Sequence, residues 1–257
     1  MSNRSNDKGM AEDMRSEKDP RDALETGRKT ADERLLDARA GEKPDFIDSD
    51  PWRVLRIQSE FVAGIETAAG LGPAVTIFGS ARTLEDAPMY RAALETARLL
   101  AQEGLAVITG GGPGIMEAAN RGAQLGAGVS VGFGIDLPFQ EPANAYVDIA
   151  YSFHYFFVRK IMFVKYAQAF VIFPGGFGTM DELFEALTLI QTDKIHNFPV
   201  IIYGSEYWGG LLDWLEDTMM ERGKISPEDR DLYMVVDSPK EVRDTLADVM
   251  DLPIRDH

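Results

Sequence analysis

Residues 169–182 read AFVIFPGGFGTMDE, an uncharged run followed by three glycines and then by the start of a segment that favours a helix. The run 169–173 is rich in β-forming residues, which is typical of a buried strand. The first amides of a helix lack partners and its dipole favours negative charge, so a strand, a glycine turn and a helix start together form an anion site. Glycine lets a ligand approach the backbone without meeting a Cβ. We therefore predict that this turn binds an anionic ligand.

The composition limits the classes of function. The chain has 257 residues, 45% of them hydrophobic, which predicts one large α/β domain with a sizeable core. A formal net charge of -16 argues against a nucleic-acid partner, although helix amides and one or two arginines can still hold a phosphate in a cleft. The chain has no cysteine and three scattered histidines, so we expect neither a metal nor a cofactor. We expect a cytoplasmic protein without membrane contact, because no stretch resembles a signal peptide or a membrane span.

The amino-terminal part differs from the rest. Residues 1–45 are rich in charged and small polar side chains and show no sustained apolar period, which predicts a disordered or loosely docked tail. A short helix is possible around 31–38. Residues 46–257 are predicted to form a single nucleotide-binding domain, which starts with an amphipathic helix from Asp50 to about Gly70.

Strands and helices then alternate along the chain. This pattern predicts a Rossmann-like, doubly wound α/β fold: a mostly parallel sheet with helices on both faces and a ligand crevice at the carboxyl ends of the strands. Strands are predicted at 74–78, 105–108, 129–133, 146–150, 169–173, 200–203 and 232–236. Three of them end in glycine turns, at Gly79, at 110–112 and at 175–176, and all three turns would line the crevice.

Several motifs allow two interpretations. No glycine turn has the spacing of a dinucleotide or Walker motif, and any single one could be a simple tight connection. Thr179 and Glu182 have the spacing of a capping box, in which the glutamate bonds back to the helix start; the alternative is that Glu182 reaches a bound sugar. Arg159 lies in the apolar segment 151–166, predicted to be a buried or interfacial helix, where its partner is either a structural carboxylate or a ligand.

The motif from Pro174 to Glu182 resembles PGGxGTxxE, the signature of the LOG ("lonely guy") phosphoribohydrolases. The pair Arg159-Lys160, the turn 110–112 and Gly79-Ser80 resemble the other motifs of that family in the same order, and the long tail is similar to its longer bacterial branch. The resemblance implies cleavage of nucleoside 5'-monophosphates, AMP or an N6-modified AMP of cytokinin type, to free base and ribose 5-phosphate. It also implies a homodimer or a larger homo-oligomer, with a hexamer possible. Members were long labelled lysine decarboxylases, which the motifs do not support.

The resemblance also implies roles by position. Arg159 and Glu182 match the catalytic pair. The positions that match substrate-binding residues are Gly79, Ser80, Gly111, Gly112, Lys160, Gly175, Gly176, Gly178 and Thr179. One departure is the segment 137–141, LPFQE here, where the family usually has Leu-Pro-x-Glu-Gln; it concerns recognition of the base more than the chemistry.

The reaction implied by the resemblance gives each residue of the catalytic pair a different role. Hydrolysis of an N-glycosidic bond passes through an oxocarbenium-like state, whose charge Glu182 would stabilise or whose attacking water it would orient. Arg159 would anchor the nucleotide. A non-catalytic nucleotide-binding protein or molybdenum-cofactor carrier is the alternative, and such a carrier would not need both residues. A pyridoxal-phosphate decarboxylase could use the same turn but needs a Schiff-base lysine.

Overall fold

A computed structural model describes residues 30–36, 49–137 and 142–250, and its centre is one seven-stranded sheet. The strands are β1 (Ala74–Phe78), β2 (Ala106–Thr109), β3 (Ser130–Ile135), β4 (Ile149–Phe153), β5 (Ala169–Ile172), β6 (Val200–Tyr203) and β7 (Met234–Val236). Their order in the sheet is β4-β3-β2-β1-β5-β6-β7, and all six neighbouring pairs are parallel. The prediction of a doubly wound parallel sheet is confirmed.

Helices cover both faces of the sheet. They are α1 (Ala31–Leu36), α2 (Asp50–Thr67), α3 (Pro88–Gln102), α4 (Ile115–Leu125), α5 (Phe156–Tyr166), α6 (Phe177–Gln191), α7 (Ser205–Trp214) and α8 (Pro239–Val249). A π-helical turn, Leu215–Met220, follows α7, and a 3₁₀ helix, Pro227–Leu232, precedes β7.

Successive strand residues face opposite sides of the sheet, as the strand geometry requires. Val171 packs in a core cluster with α3, α4 and α8, whereas Ile172 packs in a second cluster with α5, α6 and α7. Both residues are fully buried. The uncharged run that precedes the glycine turn is therefore a central strand buried on both faces, as predicted.

The segment before Arg159 differs from the prediction. Strand β4 begins at Ile149, three residues later than the predicted 146–150, and α5 begins at Phe156 instead of residue 151. Tyr151 and Phe153 pair with β3, opposite Phe133 and Ile135. The apolar residues at 151–153 fit either a helix or a strand by pattern alone, and pairing with β3 decides for the strand.

The two helices that precede the sheet are partly as predicted. α1 lies inside the predicted tail, and its Ala31 and Leu35 pack against the core. On α2, the predicted apolar stripe is only partly covered, since Val54 is 52% and Ile65 is 42% exposed. Residues 1–29, 37–48 and 251–257, and with them most of the predicted tail, lie outside the described residues, as do residues 138–141 of the LPFQE segment. The division into a tail and one domain stays a prediction. In the part of the chain that is described, no helix has the length and hydropathy needed to cross a membrane.

The carboxyl ends of β1, β2 and β5 bring the three glycine turns to one edge. The amide of Ser80 donates to the carbonyl of Pro174 at 3.0 Å, which joins the turns after β1 and β5. The amide of Ile115 donates to the carbonyl of Ser80 at 3.0 Å, which joins the turns after β1 and β2. The ligand crevice predicted for a doubly wound sheet lies at this edge.

Candidate active site at the carboxyl edge of the sheet

A cleft of about 940 Å³ opens at this edge. Its walls are the loop 81–85, the turn 110–114, the carboxyl half of β3, residues 150–152 of β4 and, on α5, Phe156 and Arg159. Among the predicted site residues, Gly111, Gly112 and Arg159 line it. The cleft combines backbone from a glycine turn, apolar walls and a guanidinium, a typical make-up for a small-molecule site.

The glycine turn after β2 is fixed by two asparagines that the sequence motifs did not indicate. The Asn144 amide donates to the carbonyls of Gly111 at 3.1 Å and Gly112 at 3.0 Å, and to Asn120 Oδ1 at 2.9 Å. Asn120 is fully buried, and its Oδ1 also accepts the Thr109 hydroxyl at 2.7 Å. Gly111 has a φ of 71°, a conformation that favours glycine. The only signal in the sequence was a polar residue, Asn120, on the buried face of an apolar helix.

Gly79 and Ser80 shape the turn after β1 through close packing and a hydrogen bond. A Cβ at Gly79 would lie 2.6 Å from Ile115, so the close approach of α4 to β1 requires glycine there. The Ser80 hydroxyl accepts the amide of Arg82 at 3.1 Å. Within the described residues, neither is part of the cleft lining, which begins at Ala81, so their predicted contact with a nucleotide stays a prediction.

Arg159 presents a buried cation to the cleft. Its guanidinium lies over the rings of Phe156 at 4.9 Å and Phe163 at 5.4 Å, and its Nε is buried without a hydrogen-bond partner. Burial lowers the pKa of this guanidinium, and the charge of Glu182 opposes that lowering. Aromatic faces stabilise a guanidinium without neutralising it, which leaves its charge available to a ligand.

Glu182 is a buried acid with an unusual pKa. Its side chain lies on α6 and is 4% exposed, with Oε2 buried and without a hydrogen-bond partner. Burial raises the pKa of this carboxyl to about 7, although the charges of Lys160 and Arg159 act to lower it. A carboxyl that titrates near neutral pH beside a cleft is suited to general acid–base chemistry.

The capping-box alternative for this glutamate is wrong. Helix α6 begins at Phe177 with Gly176 as its N-cap, so Thr179 lies inside the helix and has no free helix start for Glu182 to bond back to. The glycines at 175, 176 and 178 allow the chain to turn into the helix three residues earlier than the capping-box pattern indicates.

Lys160 links α5 to α6. Its Nζ lies 2.7 Å from Asp181 Oδ2 and 3.0 Å from Glu185 Oε2, on either side of Glu182 along α6. The lysine side chain is 15% exposed. This link fixes the helix that carries Arg159 against the helix that carries Glu182, and the predicted contact of Lys160 with substrate stays a prediction.

The turn after β5 is open on its outer side. Residues 176–178 are exposed, and a Cβ at Gly176 or Gly178 would meet nothing within 4 Å. Gly175 is packed instead: its carbonyl accepts the Tyr207 hydroxyl at 2.8 Å, and a Cβ there would lie 2.1 Å from Thr179 Oγ1. Of the residues described, neither this turn nor Glu182 belongs to the lining of the 940 Å³ cleft, which the turn adjoins through Pro174 and Ser80. The described residues contain no group of three or more metal-binding side chains.

Comparison with known proteins adds curated relatives. The cytokinin riboside 5'-monophosphate phosphoribohydrolase LOG1 of Arabidopsis thaliana is 38% identical over 91 residues, which is 35% of this chain and 42% of that protein. The match to such plant relatives thus spans about two fifths of their length. The cytokinin riboside 5'-monophosphate phosphoribohydrolase of Mycobacterium tuberculosis is 30% identical over 160 residues, 60% of this chain and 83% of the relative.

Solved structures agree with the fold. The molybdenum cofactor binding protein of Rippkaea orientalis superposes with a TM-score of 0.52 at 22% identity, over 69% of this chain and 97% of that one. The molybdenum cofactor carrier protein of Chlamydomonas reinhardtii gives 0.52 at 19% identity, over 70% and 98%. At these identities the likeness is one of fold. The family model described as "Possible lysine decarboxylase" matches residues 116–246, about half of the chain. Together with the mycobacterial relative, this match shows that the chain belongs to the LOG family.

Proposed function

We propose that the protein hydrolyses the N-glycosidic bond of nucleoside 5'-monophosphates, AMP or N6-modified AMP, to release the base and ribose 5-phosphate. One observation carries the proposal: a buried glutamate with a pKa of about 7, Glu182, lies within electrostatic reach of the unpaired guanidinium nitrogen of Arg159. The Arabidopsis and mycobacterial relatives are named phosphoribohydrolases, which supports the same reaction class.

The open turn at 176–178 and the first amides of α6 suit the 5'-phosphate. Bound there, the phosphate fixes the ribose and so contributes to catalysis through remote binding. In the proposed reaction the bond between C1' and the base nitrogen breaks and its electron pair leaves on the base. A water molecule adds to C1' and gives up a proton. Ionised Glu182 stabilises the positive charge on the ribose and accepts that proton. The departed base takes up one proton from solvent and Glu182 releases one to solvent, so the free base is neutral and the carboxyl is ionised again.

Arg159 has a different role from that of Glu182. A guanidinium stays protonated in proteins and is a poor proton donor, so we assign it to anchoring the nucleotide and stabilising the electron density that moves into the base. The rings of Phe156 and Phe163 keep the cation in place at the wall of the cleft, and its buried Nε has no hydrogen-bond partner in the protein.

We also propose that the protein is a homodimer or a larger homo-oligomer. Helix α5 exposes Phe156, Phe157 and Ile161 by 40–45%, and α2, which packs against α5, exposes Val62 by 64% and Ile65 by 42%. Apolar side chains grouped on two neighbouring helices are typical of a subunit interface. Phe156 also lines the cleft, so a second copy seated there would border the site.

A non-catalytic nucleotide-binding protein or molybdenum-cofactor carrier is the second candidate, because two solved structures with this fold are named as molybdenum-cofactor binding or carrier proteins. Their identity to this chain is 19–22%, which is informative for the fold alone. A carrier has no need of a buried carboxyl that titrates near pH 7, because binding alone requires no proton transfer.

The deciding experiment incubates the purified protein with AMP and a panel of nucleoside monophosphates and measures free base and ribose 5-phosphate by chromatography. We expect adenine and ribose 5-phosphate in equal amounts, and Glu182→Gln should bind AMP but lose most of the activity. Binding of nucleotides by the wild type without any base release would refute the hydrolase and favour the carrier.

A further inference from the structure

The start of α5 is held by two carboxylates from the helices that precede the sheet. Glu60, on α2 and 5% exposed, accepts the amide of His154 at 2.7 Å and that of Tyr155 at 3.1 Å. Asp32, on α1, accepts the amide of Phe156 at 3.1 Å. Three consecutive amides at the helix start are thus bonded to side chains that lie 94 to 124 residues earlier in the chain.

These contacts lead to the guanidinium in the cleft. Arg159 follows the held amides by one helical turn, and its own amide bonds to the carbonyl of Tyr155 at 3.2 Å. Its guanidinium lies over the ring of Phe156, the residue whose amide Asp32 accepts. Phe156 and Arg159 line the cleft, whereas, in the described part of the chain, Asp32 and Glu60 do not. The carboxylates therefore act on a ligand indirectly, through the backbone of α5 and, for Asp32, also through its charge on the Arg159 guanidinium.

We infer that Glu60 and Asp32 are positioning residues, which fix the start of α5 and thereby the place of the Arg159 guanidinium in the cleft. The inference rests on the proposed function, since it gives Arg159 a task in nucleotide binding. The buried Nε of Arg159 has no hydrogen-bond partner, so its direction is set by the helix and by the two rings below it. The family match begins at residue 116 and includes neither α1 nor α2. The amino-terminal helices of this chain are thus part of its site.

The two carboxylates differ in how they can be replaced. Asp32 uses one oxygen for one amide, so asparagine can keep that bond while alanine cannot. Glu60 uses both oxygens, and its Oε1 also lies 2.8 Å from His154 Nδ1. Glutamine would turn an NH₂ group toward one of these donors, so Glu60→Gln breaks the arrangement although its shape is kept.

The test compares full-length Asp32→Ala, Asp32→Asn and Glu60→Gln in steady-state hydrolysis of AMP. A displacement of about 1 Å at a reacting site can lower the rate roughly 100-fold. Here the displaced group is the Arg159 guanidinium, which anchors the nucleotide, so we expect KM to rise at least about fivefold in Asp32→Ala and Glu60→Gln. Asp32→Asn should restore a KM near that of the wild type. Arg34→Ala on α1 and Glu66→Gln on α2, both exposed, are the matched controls and should leave KM unchanged.

Each other outcome decides against the inference or against the function. A lower kcat and Tm with an unchanged KM would mean that the carboxylates only stabilise the fold, and that overturns the inference. If the wild type binds AMP without releasing adenine, the proposed reaction fails, and the calorimetric Kd for AMP takes the place of KM with the same expected pattern. A wild type that neither binds nor hydrolyses AMP overturns both.

Discussion

Replacing Glu182 with glutamine should make the protein more stable at alkaline pH while it removes activity. Burial raises the pKa of this carboxyl from its ordinary 4.5 to about 7, so the folded state holds the proton more tightly than the unfolded chain does. The stability that this residue provides is therefore complete below about pH 4.5 and is lost as the pH rises through about 7. At about 1.4 kcal/mol per pH unit, the loss is about 3 kcal/mol.

Glutamine keeps the shape of the side chain and carries no charge at any pH. The variant should match the wild type near pH 4.5 and exceed its stability by up to about 3 kcal/mol above pH 8, which for a chain of this size corresponds to roughly 5–10 °C in Tm. A gain in stability with a loss of function is expected when an active site buries an unfavourable charge.

The measurement is a series of thermal melts of both proteins between pH 4.5 and 9, with Glu221→Gln as a control because Glu221 is exposed. The difference in Tm between Glu182→Gln and the wild type should open as the pH rises above about 4.5 and level off above about 7, with its midpoint between these two values. A difference that stays constant across this range would show that Glu182 does not titrate near neutral pH, and the acid–base role would then have no basis.

Four further perturbations test other parts of the site. The kcat/KM for AMP should rise about tenfold per pH unit below about 7 and level off above it, because Glu182 acts ionised; a falling profile would contradict this. Gly175→Ala should lower the free energy of unfolding by about 1–3 kcal/mol, because the added Cβ would overlap the Thr179 hydroxyl. Gly176→Ala should fold normally and bind AMP more weakly, and equal Tm values for the two variants would contradict this. Lys160→Met should lower the free energy of unfolding by about 1–2 kcal/mol, a modest loss because the partners of Lys160 on α6 are partly exposed. It should also lower kcat, and an unchanged kcat would argue against the link between the helices. Ile161→Asp should reduce the mass in light scattering to that of a monomer, and an unchanged mass would place the interface elsewhere.

Much of the fold followed from local patterns. The sequence Ser238-Pro239-Lys240-Glu241 has the spacing of a capping box, and α8 has both of its bonds, with the Ser238 hydroxyl accepting a hydrogen bond from the Glu241 amide at 3.2 Å and the Glu241 carboxylate accepting one from the Ser238 amide at 3.0 Å. The same spacing at Thr179 and Glu182 failed. Glycines before Thr179 permit an earlier helix start, while Ser238 has the extended backbone that a cap requires.

The site was less accessible to sequence reasoning where contacts join distant residues. Arg159 and Glu182 were predicted as site residues because they belong to motifs. Asn144 was not found, because it holds a turn 32 residues earlier, and Glu60 was not found, because its partners lie 94 residues later. The helical period of α2 does not indicate a partner for Glu60, and Asn144 lies outside the helices and strands, so only the assembled structure shows what each of them bonds to.

The charges around α5 and α6 bear on the proposal that the site takes an anionic ligand in a chain of net charge -16. Lys160 is balanced by two carboxylates of α6, Asp181 and Glu185, and so adds little positive charge to the cleft. Arg159 lies over aromatic rings, with its carboxylate neighbours acting only at a distance, so its charge is the less compensated of the two. A phosphate ester bound between Arg159 and the amides of α6 would supply that compensation. The phosphate would also bring negative charge close to Glu182, which favours the protonated form of this carboxyl. Positive charge on the ribose is then needed to stabilise the ionised form of Glu182 fully. The oxocarbenium-like state of the proposed reaction develops that charge, and the ground state does not, which is the difference on which catalysis depends.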